Sequence, residues 1–78
     1  MGVQNSEVIS GTISNNIRKL RFENSEMTQQ ELADRVGATR QTIHAIEAAK
    51  YSPSLELAFK IAAAFKVPLQ DVFSYETN

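Results

Sequence analysis

The chain has no cysteine, which excludes disulfide staples and thiolate metal sites. It has one histidine, His44, so a protein-only metal centre would have to be built from carboxylates, and nothing supports a ligand role for His44. Neither a nucleophile–base set nor a glycine-rich phosphate loop is present, so an enzyme is not expected, and no cofactor or metal is implied. No run approaches the 18 apolar residues of a membrane span. Residues 1–12 carry no basic n-region and no apolar h-region, which excludes a secretory signal. Charge of one sign is also missing. Eight Lys and Arg face nine Asp and Glu, a net of −1, which argues against a protein that clings to any polyanion.

What remains is a short chain with an ordinary apolar content. Seventy-eight residues make one domain, and a domain of this size buries only about 60% of the surface its unfolded form exposes. Stability must come from compact packing, a staple or a partner. A 42% hydrophobic content is too high for a disordered chain. Residues 1–12 are polar with little periodicity and read as a disordered N-terminal arm. The domain is expected over 13–74, with 75–78 as a C-terminal tail.

From Ser14 onward the pattern is helical with short breaks. Ser14 is placed to cap a first helix over about 15–24, with Ile13 stapled onto its first turn and Ile17 and Leu20 on one face. Thr28-Gln29-Gln30-Glu31 is a capping box for a second helix, about 29–36, whose stripe is Leu32, Ala33 and Val36. Gly37 ends it, where the backbone takes a positive φ. Thr39 caps a third helix, about 40–48. At 100° per residue Ile43 and Ile46 point one way and Gln41, His44, Ala45 and Ala48 the other, with Arg40 at the edge of that outer face. Glu47 falls beside the apolar stripe, where a carboxylate requires a partner. Ser54 caps a nearly all-apolar fourth helix, about 55–65, of the kind that lies centrally in a small bundle. Pro68 opens a last short helix, about 68–73, with Leu69, Val72 and Phe73 inward. Five short helices and no strand pattern predict an all-α domain.

Residues 29–48 resemble the helix-turn-helix of phage-repressor and Cro-like (XRE-type) transcriptional regulators. Ala33 is small where two helices cross, Gly37 makes the sharp turn, and Leu32, Val36, Ile43 and Ile46 supply the apolar contacts. With the first helix, the likeness covers about residues 13–74 and implies a compact five-helix bundle of the lambda-repressor-like type. The resemblance also implies a partner for Glu47. Arg21, late in the first helix, stands where the family carries an arginine that pairs with such a glutamate. The pair would lock the first helix to the third, with contact to phosphate as the other reading. Ala49 and Lys66 depart from the family by standing where glycines often end helices. A non-glycine residue at positive φ costs about 1 kcal/mol.

The resemblance further implies that the third helix enters the major groove of double-stranded DNA. Arg40 suits guanine O6 and N7, and Gln41 suits adenine. Thr39, His44 and Ala45 complete the expected base-facing set, although a merely solvated face is the alternative for Arg40 and Gln41, and an exposed imidazole for His44. Phosphate contacts are expected from Gln29, Lys50, Tyr51 and Ser52, and more weakly from Asn16 and Arg18. Between residues 12 and 52, six Lys and Arg stand against five Asp and Glu, a net of +1, so affinity for nonspecific DNA should be weak and its salt slope shallow. A homodimer through the fifth helix and C-terminal residues Leu69, Phe73 and Tyr75 would set two recognition helices on an inverted repeat. The resemblance thus implies a small cytoplasmic transcriptional regulator of prokaryotic type. An antitoxin or restriction-controller autoregulator is an alternative, as is a protein-interaction module that no longer binds DNA.

Overall fold

A computed structural model describes residues 8–77. The order of elements is β1 (Gly11–Asn15), α1 (Ile17–Glu23), α2 (Gln29–Val36), α3 (Arg40–Glu47), α4 (Leu55–Phe65), α5 (Leu69–Val72) and β2 (Phe73–Thr77). Each of α2, α3 and α4 begins where a hydroxyl accepts a backbone amide of the first turn: Thr28 from Glu31, Thr39 from Thr42 and Ser54 from Leu57. The capping box at Thr28 is complete, because Glu31 Oε1 in return accepts the Thr28 amide at 2.8 Å. Two-turn helices are not stable alone, so α2 and α3 depend on what they bury. Ile17, Leu32, Ile43, Ile46, Ile61, Phe65 and Val72 form one core with Met27, Ala33, Val36 and Ala62 between them. Such side chains contribute about 1.5–3 kcal/mol each on burial.

The expectation of an all-α domain is corrected by a small antiparallel sheet. β1 pairs with β2 in the register Gly11↔Thr77, Ile13↔Tyr75 and Asn15↔Phe73. Five residues on each side, without regular alternation of burial, give little local signal, and the partner segment is some 60 positions away. The sheet also redraws the neighbouring helices. Ser14 does not cap α1; its hydroxyl meets Ser74 Oγ at 2.7 Å and Glu76 Oε2 at 3.0 Å across the sheet. Ile13 sits in the strand opposite Tyr75 rather than stapling a helix. Helix α1 instead opens after Asn16, with the Ile17 amide donating to Asn15 Oδ1 at 3.1 Å. Helix α5 stops at Val72 because Phe73 turns to extended backbone and joins β2. Gly11 and Thr12, expected in a disordered arm, lie in β1, and Tyr75–Thr77, expected in a tail, lie in β2. Residues 1–7 of that arm and Asn78 of that tail lie outside the described residues. Gly11 permits the close pairing: a Cβ there would run into the Glu76 carbonyl. Among the described residues no helix is long and apolar enough to cross a membrane.

Three helices end in one way. The amides of Ala38, Lys50 and Val67 reach back five residues to the carbonyls of Ala33, Ala45 and Ala62 at 2.9–3.1 Å. Each turn places one residue in the left-handed region: Gly37 (φ 73), Ala49 (φ 60) and Lys66 (φ 60). This is the Schellman closure, for which glycine is favoured. Ala49 and Lys66 adopt it without glycine, so the domain carries that strain. The turn after α1 is one residue longer, spanned by Met27 N to Arg21 O at 2.9 Å, and holds two left-handed residues, Ser25 and Glu26.

These caps make opposite predictions. A Cβ at Gly37 meets nothing within 4 Å, so Gly37→Ala exposes the backbone term alone. It is expected to lose about 1 kcal/mol and to lower Tm by roughly 4–8 °C. Lys66→Gly relieves the same strain against the greater unfolded freedom of glycine. It is expected to gain about 0.5 kcal/mol and raise Tm by roughly 2–4 °C. Thermal melts of both variants test this, and a Lys66→Gly Tm at or below wild type contradicts it.

Candidate nucleic-acid interface

Helices α2 and α3 are joined by Gly37-Ala38-Thr39, with Ala33 fully buried where they cross. Ile43 and Ile46 enter the core, which turns Arg40, Gln41 and His44 to solvent and leaves Ala45 half-buried. The exposed face therefore begins at the first residue of α3. Thr39 is exposed but its Oγ1 is engaged, accepting from Thr42 N at 3.1 Å and lying 2.9 Å from Thr42 Oγ1. Its methyl group is the part left for other contacts.

The orientation of α3 is held from below by one charged fork. Arg21 Nε donates to Glu47 Oε2 at 2.6 Å and Nη2 to Glu47 Oε1 at 3.2 Å, while Nη1 donates to the Met27 carbonyl at 2.8 Å. The side chains are 14% and 11% exposed, so the charges are largely removed from water. A planar guanidinium suits this site because three of its N–H groups point at three acceptors fixed in space. Gln29, the first residue of α2, adds a donor to Glu47 Oε1 at 3.2 Å. Thus α1, α2 and α3 meet on one carboxylate.

The remaining expected contact residues separate into two groups. Arg18 lies over the Phe22 ring at 5.9 Å and shares a shallow cleft with Arg21, Gln29, His44 and Glu47. That places it on the side of α3. Asn16 is turned elsewhere, its Nδ2 donating to the Asp71 carbonyl at 3.1 Å and its amide to Val72 O at 2.8 Å. It ties α1 to α5. Lys50, Tyr51 and Ser52 are exposed after the turn at Ala49. Tyr51 and Ser52 also line a cleft of about 400 Å³ that runs to Thr12, Ile13 and Tyr75 of the sheet. Among the described residues no three His, Asp or Glu side chains come together to hold a metal ion.

Two residues of the site had no local signal. Asn15 Nδ2 donates to Ile46 O at 3.1 Å and to Glu47 O at 3.4 Å, so the end of β1 satisfies carbonyls at the end of α3. Its partners are more than 30 positions away. Met27 reads as part of a turn, yet it is 5% exposed and its carbonyl completes the arginine site.

Comparison with known proteins agrees with this geometry. The Helix-turn-helix family model matches residues 17–72. An uncharacterized HTH-type transcriptional regulator of Methanocaldococcus jannaschii is 58% identical over 52 residues, covering 67% of this chain and 79% of the relative. The HTH-type regulator YgzD of Bacillus subtilis is 44% identical over 64 residues, 82% of this chain and 96% of its own. The transcriptional repressor RstR of the cryptic phage CTXphi of Vibrio cholerae is 38% identical over 66 residues, 83% of this chain and 59% of its own. A crystal structure of a candidate DNA-binding protein from Bacteroides fragilis superposes with a TM-score of 0.71 at 25% identity, covering 81% of this chain and all of that one. The chain belongs to the XRE-type helix-turn-helix family, the DNA-binding domain of transcriptional regulators.

The fork predicts a graded response. Arg21→Met leaves Glu47 without its charged partner and is expected to cost about 3 kcal/mol. Arg21→Lys keeps the charge but cannot reach Glu47 and Met27 O together, and is expected to recover less than half of that loss. Urea unfolding of the two variants measures the difference; equal stability of Arg21→Lys and wild type contradicts the fork.

Proposed function

We propose that this chain binds double-stranded DNA sequence-specifically, as a two-fold dimer on an inverted repeat, to regulate transcription. The observation that carries the reading is the exposed N-terminal half of α3, with Arg40 and Gln41 facing solvent on a helix clamped through Glu47. With α3 in the major groove, Arg40 donates two parallel hydrogen bonds to a guanine and Gln41 pairs with an adenine. The Thr39 methyl and Ala45 supply apolar contact, and His44 lies one turn further on. Gln29, Arg18, Lys50, Tyr51 and Ser52 position the backbone of the DNA. Asn16, occupied by the Asp71 carbonyl, is left out of this set. The folded unit is taken to run from Gly11 to Thr77, since the sheet includes both. Selection of bound sequences from random duplexes is expected to enrich one motif. Arg40→Ala and Gln41→Ala should each relax one or two positions, by about 1–3 kcal/mol of discrimination. Failure of the wild type to enrich any motif would favour the interaction-module alternative.

The dimer reading is supported by apolar surface on the sheet side. Leu55 and Tyr75 are 68% and 52% exposed, and they border a cleft of about 480 Å³ with Ile13, Ala58, Leu69 and Phe73. Leu69 and Phe73 also pack on the core, so an exposed residue is the better probe. Leu55→Arg is expected to stay folded, to sediment as a monomer at tens of micromolar where wild type is dimeric, and to bind DNA more weakly. A wild type that remains monomeric at that concentration, with and without DNA, sinks the dimer.

A further inference from the structure

We infer that Gln29 sets the tautomer of His44, so that His44 meets DNA as a hydrogen-bond donor. The inference rests on the DNA-binding reading for its outcome but on protein geometry for its cause. Its starting point is the Glu47 carboxylate, which only accepts. Oε1 takes Arg21 Nη2 and Gln29 Nε2, each at 3.2 Å. An amide oxygen turned toward that carboxylate would repel it, so the NH₂ end of Gln29 has to face Glu47. The orientation of this amide is thereby fixed by the chemistry of its neighbour.

The same nitrogen lies 3.5 Å from His44 Nδ1. An NH₂ group has two hydrogens. One is directed to Glu47 and the other falls toward the imidazole. In the neutral ring one nitrogen donates and the other accepts. A proton on Nδ1 would set N–H against N–H, so Nδ1 accepts and the proton resides on Nε2. At 3.5 Å the attraction is weak, and the bias comes as much from the arrangement it forbids. Among the described residues Nε2 has no hydrogen-bond partner, and the side chain is exposed one turn beyond Arg40.

A neutral imidazole held this way offers DNA an N–H and no acceptor. It suits the acceptor atoms of the DNA: purine N7, guanine O6, thymine O4 or a phosphate oxygen. It cannot take a hydrogen bond from the cytosine or adenine amino group. Gln29 is thus a positioning residue for the specificity of His44, acting from the first turn of a different helix. Its phosphate contact, where made, falls to its Oε1 only through a bridging donor, or to its backbone amide.

The presence of a single histidine makes the test direct. Two-bond proton–nitrogen correlation spectra of the ¹⁵N-labelled full chain, recorded where the ring is neutral, report which nitrogen carries the proton. Wild type is expected to show a protonated Nε2 and a bare Nδ1. Gln29→Met, which keeps the side-chain length without the amide, is expected to shift the tautomer ratio by roughly 2- to 10-fold toward Nδ1–H. A wild type with Nδ1–H as the major form overturns the inference, as does a ratio unmoved in Gln29→Met. Site selection with His44→Ala then separates the two acceptor sources. Relaxation at one motif position identifies a base edge, and uniform weakening with a smaller salt slope identifies phosphate. Loss of an enriched cytosine amino contact on substituting His44 would contradict a donor-only ring. If no sequence is enriched by the wild type while the spectra show the Nε2–H form, the DNA-binding reading fails and the Gln29–His44 lock stands.

Discussion

The Arg21 guanidinium is where three helices take a common frame. Its N–H groups reach Glu47 at the end of α3 and the Met27 carbonyl at the entry to α2, while its own backbone belongs to α1. Neither α2 nor α3 is long enough to hold its place by backbone bonding alone. Apolar contacts of Leu32, Ala33, Ile43 and Ile46 press them together, but such contacts are non-directional and leave rotation about the helix axis loosely set. A bidentate charge pair is directional. Because the carboxylate belongs to the last residue of α3, fixing it fixes which residues of that helix face outward. A buried pair of this kind is weak evidence for stability and better evidence for geometry. Glu47 also carries the frame to Gln29, and through Gln29 to the ring of His44.

Local chemistry made most of the bundle legible from the sequence. The starts of α2, α3 and α4 could be read because each cap is a hydroxyl bonding its own first turn, a relation confined to three residues. The span of α4 follows from its apolar run between Ser54 and Lys66. The need for a partner to Glu47 was visible as a carboxylate beside an apolar stripe, and the resemblance supplied Arg21. What could not be read depends on distant parts of the chain. Ser14 was expected to cap α1, yet its hydroxyl joins Ser74, 60 positions away. Asn15 belongs to α3 through Ile46 O and Glu47 O, and no spacing rule announces that. The sheet is built from two short segments whose β character appears only once they are paired.

The helix ends show how far sequence rules bend. Glycine at Gly37 matches the closure it makes, and reading that helix end from sequence is straightforward. Ala49 and Lys66 make the same closure with a Cβ in place. Geometry was therefore conserved within this one molecule while the residue preference was not. The near-zero net charge is consistent with the same economy of general attraction. A surface with little basic surplus gives long-range steering a small part, and the proposed DNA complex would depend on a few well-aimed groups.

The antiparallel sheet has a kinetic side. Joining Gly11 to Thr77 closes almost the whole chain into one loop, and contacts of that separation form slowly in an open chain. The entropy of closing such a loop rises only with the logarithm of its length. Core contacts span most of the same loop, since Ile17 and Val72 lie in one core and the Asn16 amide bonds Val72 O. In the folded chain the sheet therefore continues from a junction that the core already holds. The inner pair of the sheet, Asn15 and Phe73, lies next to that core, and the Asn15 side chain bonds the last carbonyls of α3, so the two strands and the end of α3 share one anchoring point.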